Sequence, residues 1–172
     1  MIATQPITEA AVWSALDAVT DPEIPVVSVV ELGIIQGVTV DAQGVTVAMT
    51  PTFAGCPALY LMQEEIAQAV VDLGLSPEQV QVQLQLDPPW SSERITESGR
   101  VKLASIGLAP PERVPSAGGL IAVDEIMLAD GVECPFCHSH ATELESPFGP
   151  TMCRSLYYCH GCKQPFEKFK AL

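Results

Sequence analysis

Four cysteines near the end of the chain have the type and spacing of a metal clasp. Cys134 and Cys137 stand in "CPFC", Cys159 and Cys162 in "CHGC", with 21 residues between the two motifs. Each Cys-x-x-Cys turn presents two sulfurs together, and two such turns about 20 residues apart can close a tetrahedron of thiolates around a soft cation. Zinc is the expected occupant, and iron is the competing one because it takes the same four sulfurs. A dithiol–disulfide enzyme needs only one pair, so the doubled motif argues against thiol exchange. Four protein ligands leave no open position, which makes the site structural rather than catalytic. His138, His140 and His160 are close in sequence and are expected at the surface or behind the ligands. Cys153 is left over, either as a small apolar filler or as a redox or cluster ligand.

The sixth cysteine stands alone in "TPTFAGCP", Thr50–Pro57. Pro57 suits a first helical position, so Cys56 is expected at or near a helix N-cap. Backbone N–H groups and the helix dipole lower a thiol's pKa there. Gly55 permits close approach of a ligand, and Thr50 and Thr52 add hydroxyls. The pattern fits a reactive thiolate or soft-metal ligand, and it equally fits a buried cysteine filling a helix end. Iron–sulfur clusters usually take four protein thiolates. One cysteine would therefore act in a dimer, with another ligand, or in a transient transfer complex. All three histidines follow residue 129, so none lies near Cys56 in sequence to activate it. Asp21 and Glu23 are the acidic candidates, but carboxylates raise rather than lower a neighbouring thiol's pKa.

The elements that must position these residues are legible from periodicity. Thr8 is expected to cap a first helix with Val12, Leu16 and Val19 on its buried face and Trp13 joining them. "DPEIPVVSVVELGI" carries two prolines and is expected to be a loop of fixed turns. "IIQGVTV" and "VTVAMT" flank the turn "DAQG" and predict a hairpin. Leu59, Met62, Ile66, Ala69, Val70 and Leu73 predict an amphipathic helix from Pro57 that Gly74 ends. "VQVQLQL" alternates as a strand. "DPPWSSERI" turns into a last helix, capped by Ser91 or Ser92 and weakened by Gly99. The domain expected over 1–108 is α+β, a small mixed sheet with helices packed on one face. Residues 109–129 begin with "APPERVPSAGG" and are expected to be a linker. Residues 130–172 are expected to be a small zinc ribbon with strands in "ATELESPFG" and "CRSLYYC".

Composition narrows the functions. The formal net charge is −13. Residues 1–129 hold 16 acidic and 4 basic side chains, against 5 and 4 in residues 130–172. Such a chain repels a phosphate backbone, so nucleic-acid binding is not expected, and the acidity favours basic protein partners or simply solubility. No stretch reaches the ~20 apolar residues of a membrane helix. "MIATQPITEA" lacks the basic and long apolar regions of a leader, so a cytoplasmic protein is expected. Neither a Gly-x-Gly-x-x-Gly fingerprint nor a Glu-x-x-His di-iron motif is present, which argues against a direct redox or oxygenase role.

Asp21-Pro22-Glu23, Leu32-Gly33, Thr50-x-Thr52 and Cys56-Pro57 together resemble the pattern of the SufT-like iron–sulfur assembly domain. With "DPPWSSERITESGRVKLASIGLAPP" and the C-terminal ribbon, residues 8–170 resemble the PaaD family (also called PaaJ) of bacterial phenylacetate degradation. The resemblance implies an accessory factor, not an enzyme. It would assemble or deliver an iron–sulfur cluster for the multicomponent oxygenase that epoxidises the ring of phenylacetyl-CoA. Its expected partner is the oxygenase's iron–sulfur reductase, with a homodimer also compatible. It implies an unusually reactive Cys56, with Asp21, Glu23 and Thr52 around it, a structural zinc on Cys134, Cys137, Cys159 and Cys162, and a transient cluster as cargo. The alternative is a structural subunit of the oxygenase with no cluster chemistry of its own.

Overall fold

The computed structural model describes residues 6–113 and 131–171. The chain divides into two compact units, Met1–Gly99 and Arg100–Leu172.

In the first unit, α1 (Glu9–Leu16) starts where Thr8 predicts, with the Thr8 hydroxyl accepting from the Ala11 N–H at 3.2 Å. Val12 and Leu16 are buried, while Trp13 is only half-buried. The proline-rich stretch is not wholly irregular: β1 (Thr20–Asp21) and β2 (Ile24–Ser28) pair antiparallel. Asp21 Oδ1 accepts the N–H groups of Glu23 at 2.8 Å and Ile24 at 3.0 Å, which reverses the chain within two residues. A two-stranded ribbon has only edge strands, where a proline's missing N–H costs little.

β3 (Ile35–Val40) and β4 (Val45–Met49) form the expected hairpin, and β5 (Val80–Leu84) pairs parallel to β4, giving the order β3-β4-β5. The crossover from β4 to β5 runs through α2 (Leu59–Val71), whose Met62, Ile66 and Val70 are buried. Val45, Val47 and Met49 alternate onto the buried face of β4. α2 packs against β5, and α1 packs against both β3 and α2. This is the mixed sheet with packed helices that the sequence predicts.

The turn after β2 is held on every side. Ser28 and Glu31 exchange bonds: the Ser28 N–H donates to Glu31 Oε2 and the Glu31 N–H to Ser28 Oγ, each at 3.0 Å. Trp90 Nε1 donates to the Leu32 carbonyl at 2.9 Å. Gly33 has φ +65°, and a Cβ there would lie 2.4 Å from the Arg94 Cβ, so both conformation and space demand glycine. α3 (Glu97–Ser105) carries the chain across the boundary between the units. Gly99 in its first turn is a packing requirement rather than a flaw, since a Cβ would come within 2.9 Å of the Glu31 carbonyl oxygen.

The second unit contains β6 (Leu108–Ala109), β7 (Thr142–Ser146), β8 (Arg154–Cys159) and β9 (Gln164–Phe169), in the order β6-β9-β8-β7. The boundary after residue 108 expected from sequence therefore moves. Leu108 and Ala109 pair in parallel with Glu167 and Lys168, and Arg100 Nη1 donates to the Pro111 carbonyl, so the chain from Arg100 onward groups with the ribbon. Of the expected linker 109–129, Ala109 is a buried strand residue. Residues 114–129 lie outside the described residues.

Candidate metal centre and thiol loop

The two Cys-x-x-Cys motifs fold as matching knuckles. In the first, the His138 N–H donates to the Cys134 carbonyl at 2.9 Å; in the second, the Lys163 N–H donates to the Cys159 carbonyl at the same 2.9 Å. Both closing residues have φ +61°. A side chain in that left-handed region costs about 1–2 kcal/mol, and the paired strain is the local cost of pointing two sulfurs the same way. His138→Gly and Lys163→Gly are each expected to raise the ribbon's melting point by a few degrees. Thermal unfolding followed by circular dichroism checks this, and a lowered melting point in both would contradict it.

The four sulfurs lie within 4.8 Å of one another. Cys134 Sγ is 3.7 Å from Cys162 Sγ, and Cys137 Sγ is 3.6 Å from Cys159 Sγ. A tetrahedron with metal–sulfur bonds of ~2.3 Å has edges of ~3.8 Å, and a disulfide would need ~2.05 Å. The cysteines form no disulfide. Donor set and spacing thus fit a four-thiolate metal site. Backbone N–H groups, led by that of Cys162, pull the Cys159 thiol down to about 6, while burial and the neighbouring thiols push Cys162 up to about 12. Four negative sulfurs at this spacing need a cation between them.

Cys134 and Cys159 are themselves core residues, buried with Ala109, Val132 and Phe166. The histidines face elsewhere: His138 Nδ1 meets Glu133 at 2.7 Å, His140 Nδ1 meets the Gly131 carbonyl at 2.8 Å, and His160 Nε2 meets Glu143 at 3.1 Å. Cys153 is outside the sulfur cluster, half-buried, with its Sγ 3.1 Å from the Thr151 hydroxyl.

Cys56 lies on the loop from the carboxyl end of β4 to α2. β4 is the central strand, joined to β3 by a hairpin and to β5 by the helical crossover. The loop is rooted by the Thr50 N–H, which donates to the Ile34 carbonyl at 2.8 Å. Thr50 is buried, and its Oγ1 has no hydrogen-bond partner among the described residues.

Cys56, expected at or near the N-cap, lies two residues ahead of it, because α2 starts at Leu59 with Ala58 as its N-cap rather than at Pro57. The Cys56 N–H donates to the Phe53 carbonyl at 3.0 Å, and the Cys56 carbonyl accepts from Leu59 at 3.2 Å. The thiol thus sits half-buried on a tight turn just ahead of the helix, so the dipole acts on it less directly. Thr52 shares this loop and is half-buried, whereas Asp21 and Glu23 occupy the β1–β2 turn. There the Asp21 carboxylate accepts the N–H groups of its own turn.

The Ser28–Glu31 exchange and the Trp90 tether escape a residue-by-residue reading of the chain. "SVVE" carries a signal for the first, since Ser-x-x-Glu is the pattern of reciprocal capping.

Residues 9–84 match the family model described as an iron–sulfur cluster assembly protein, and residues 122–170 match that of the PaaD zinc beta ribbon domain. The Fe-S protein maturation auxiliary factor YitW of Bacillus subtilis is 33% identical, covering 54% of this chain and 89% of that one. A solved Bacillus anthracis structure, a domain of unknown function called DUF59, aligns with a TM-score of 0.50 at 29% identity, over 55% of this chain and 90% of its own. A putative 1,2-phenylacetyl-CoA epoxidase subunit of Escherichia coli K12 is 38% identical over 94% of this chain and 92% of its own length. An assembly-type domain followed by a four-cysteine ribbon, related over nearly its whole length to that subunit, places the chain in the PaaD family of phenylacetyl-CoA epoxidase subunits.

Proposed function

We propose that this protein is a cytoplasmic accessory factor that assembles or delivers an iron–sulfur cluster for the phenylacetyl-CoA epoxidase complex, with Cys56 as the thiol that contacts the cargo. The observation that carries this reading is the place of Cys56, at the carboxyl end of the central strand of a domain matching the iron–sulfur assembly family. The orphaned Thr50 hydroxyl at the root of the same loop supports it. Thr52 flanks the thiol, and Asp21 and Glu23 shape the preceding turn. The reductase of the complex is the proposed client. Cys134, Cys137, Cys159 and Cys162 hold zinc, which supplies folding energy to the ribbon and no chemistry to the cargo.

Cys56→Ser is expected to keep the wild-type melting curve and zinc content while lowering the iron and sulfide of the co-expressed reductase severalfold. Full cluster loading beside the mutant would sink the proposal. The relative's name as an epoxidase subunit favours a second reading, in which the protein is a stoichiometric structural part of the complex. Stable co-purification at a fixed ratio, together with full cluster loading beside Cys56→Ser, would establish it.

A further inference from the structure

Residues 1–93 carry 12 carboxylates and no lysine, arginine or histidine. That stretch is most of the first unit, Met1–Gly99, which in full holds 13 carboxylates and one basic side chain, Arg94; within it, three large apolar side chains within five residues of Cys56 face solvent. Tyr60 is 72% exposed, Leu61 45% and Phe53 37%. Phe53 is joined to Cys56 by the hydrogen bond that closes the thiol's turn, and Tyr60 and Leu61 form the first turn of α2. One helical turn further on, Glu64 and Glu65 are exposed, each four residues beyond one of the apolar pair and so on the same face. Apolar anchors, an aromatic among them, beside a charged rim are the composition of a protein-docking surface.

We propose that Phe53, Tyr60 and Leu61 dock a protein client whose surface offers an apolar socket rimmed by lysines and arginines. This rests on the cluster-transfer reading, because docking here would hold the client's acceptor site beside Cys56. The sign of the charge selects the partner. Nucleic acid and anionic lipid are repelled by the net negative charge, and the same face of a second copy would set a second Glu64–Glu65 pair against the first. Glu64 and Glu65 steer a basic partner on approach, and the apolar trio sets how long it stays.

The test titrates the full-length protein with each of the other purified epoxidase subunits, at low and at near-molar salt. One subunit is expected to bind, with affinity falling as salt rises. Tyr60→Ser with Leu61→Ser is expected to weaken that binding by about 30-fold or more. Glu64→Lys with Glu65→Lys is expected to slow association by about tenfold, and Tyr60→Phe to bind like wild type. All of these positions are exposed, so the melting curve serves as the folding control. Binding to no subunit, salt-independent binding, or unchanged affinity in both double variants overturns the docking surface. Cluster loading beside Cys56→Ser separates the two ideas. Lost loading with unchanged affinity in the patch variants defeats the surface alone. Normal loading beside Cys56→Ser defeats the transfer reading, and the affinities then decide the surface.

Discussion

Stripping the ion with a strong chelator is expected to unfold the ribbon unit, Arg100–Leu172, and to leave Met1–Gly99 folded. The second unit has a small core, with Ala109, Val132, Cys134, Cys159 and Phe166 buried together. Two of those five are metal ligands, so the ion is the centre of the core rather than an attachment to it. Burying one phenylalanine contributes about 2–3 kcal/mol, whereas a structural zinc site contributes about 10–16 kcal/mol at neutral pH. The first unit has its own sheet and helices with Val12, Leu16, Val47, Met49, Ile66 and Val70 buried, a core built from apolar side chains rather than around an ion. Calorimetry should show two transitions, of which chelation removes one, and Cys159→Ser should remove the same one. A single melt lost as a whole would mean that the units fold together.

The same site fixes the direction of the pH dependence. Metal binding needs thiolates, so protons compete with it and acidification favours release. Cys162, pushed up to about 12, takes a proton readily once the ion leaves, whereas Cys159, held at about 6, stays ionised to lower pH. The chelator concentration that empties the site is therefore expected to fall between pH 8 and pH 5. A constant midpoint across that range would contradict thiolate ligation.

Trp90→Ala should destabilise the first unit by about 3–5 kcal/mol, the range for removing a buried aromatic. The indole is 5% exposed and its N–H satisfies the Leu32 carbonyl. Trp90→Phe keeps most of the volume but strands that carbonyl, at a cost of about 1–3 kcal/mol. The effect should reach the thiol loop, because Leu32 and Gly33 lead into Ile34, whose carbonyl anchors Thr50. Alkylation of Cys56 is expected to quicken in Trp90→Ala and to change little in Trp90→Phe. Equal alkylation rates in all three forms would show that the tether does not govern the loop.

The metal site was legible because both its ligand type and its spacing are local, and each knuckle closes within five residues. Helices and hairpin were legible for the same reason: Thr8, the Met62–Ile66–Val70 stripe and "DAQG" act over one or two turns. What the sequence concealed depends on distant partners. Gly99 reads as a helix breaker until the Glu31 carbonyl is seen to need its space. "DPEIP" reads as loop because a two-stranded ribbon can be made around an Asx turn with prolines in it. The start of α2 was missed by two residues, because Pro57 is compatible with both a helical first position and the tight turn it occupies. Tyr60 and Leu61 fall outside the apolar stripe of α2, so periodicity already sets them off the buried face; what it does not tell is what partner such exposed apolar side chains serve.

The two residues of β6 change what counts as a portable piece of this protein. The ribbon sheet takes an edge strand from before the chain between Arg113 and Gly131 and the other three from after it. A gene fusion or recombination event that cut inside that interval would carry away the four cysteines yet leave β9 without its β6 partner. It would trade a covered edge for a bare one that invites pairing with other chains. The smallest transferable ribbon therefore includes Leu108–Ala109, and exchange between relatives is expected to succeed when β6 travels with the four cysteines and to yield aggregating products when the crossover falls after Arg113.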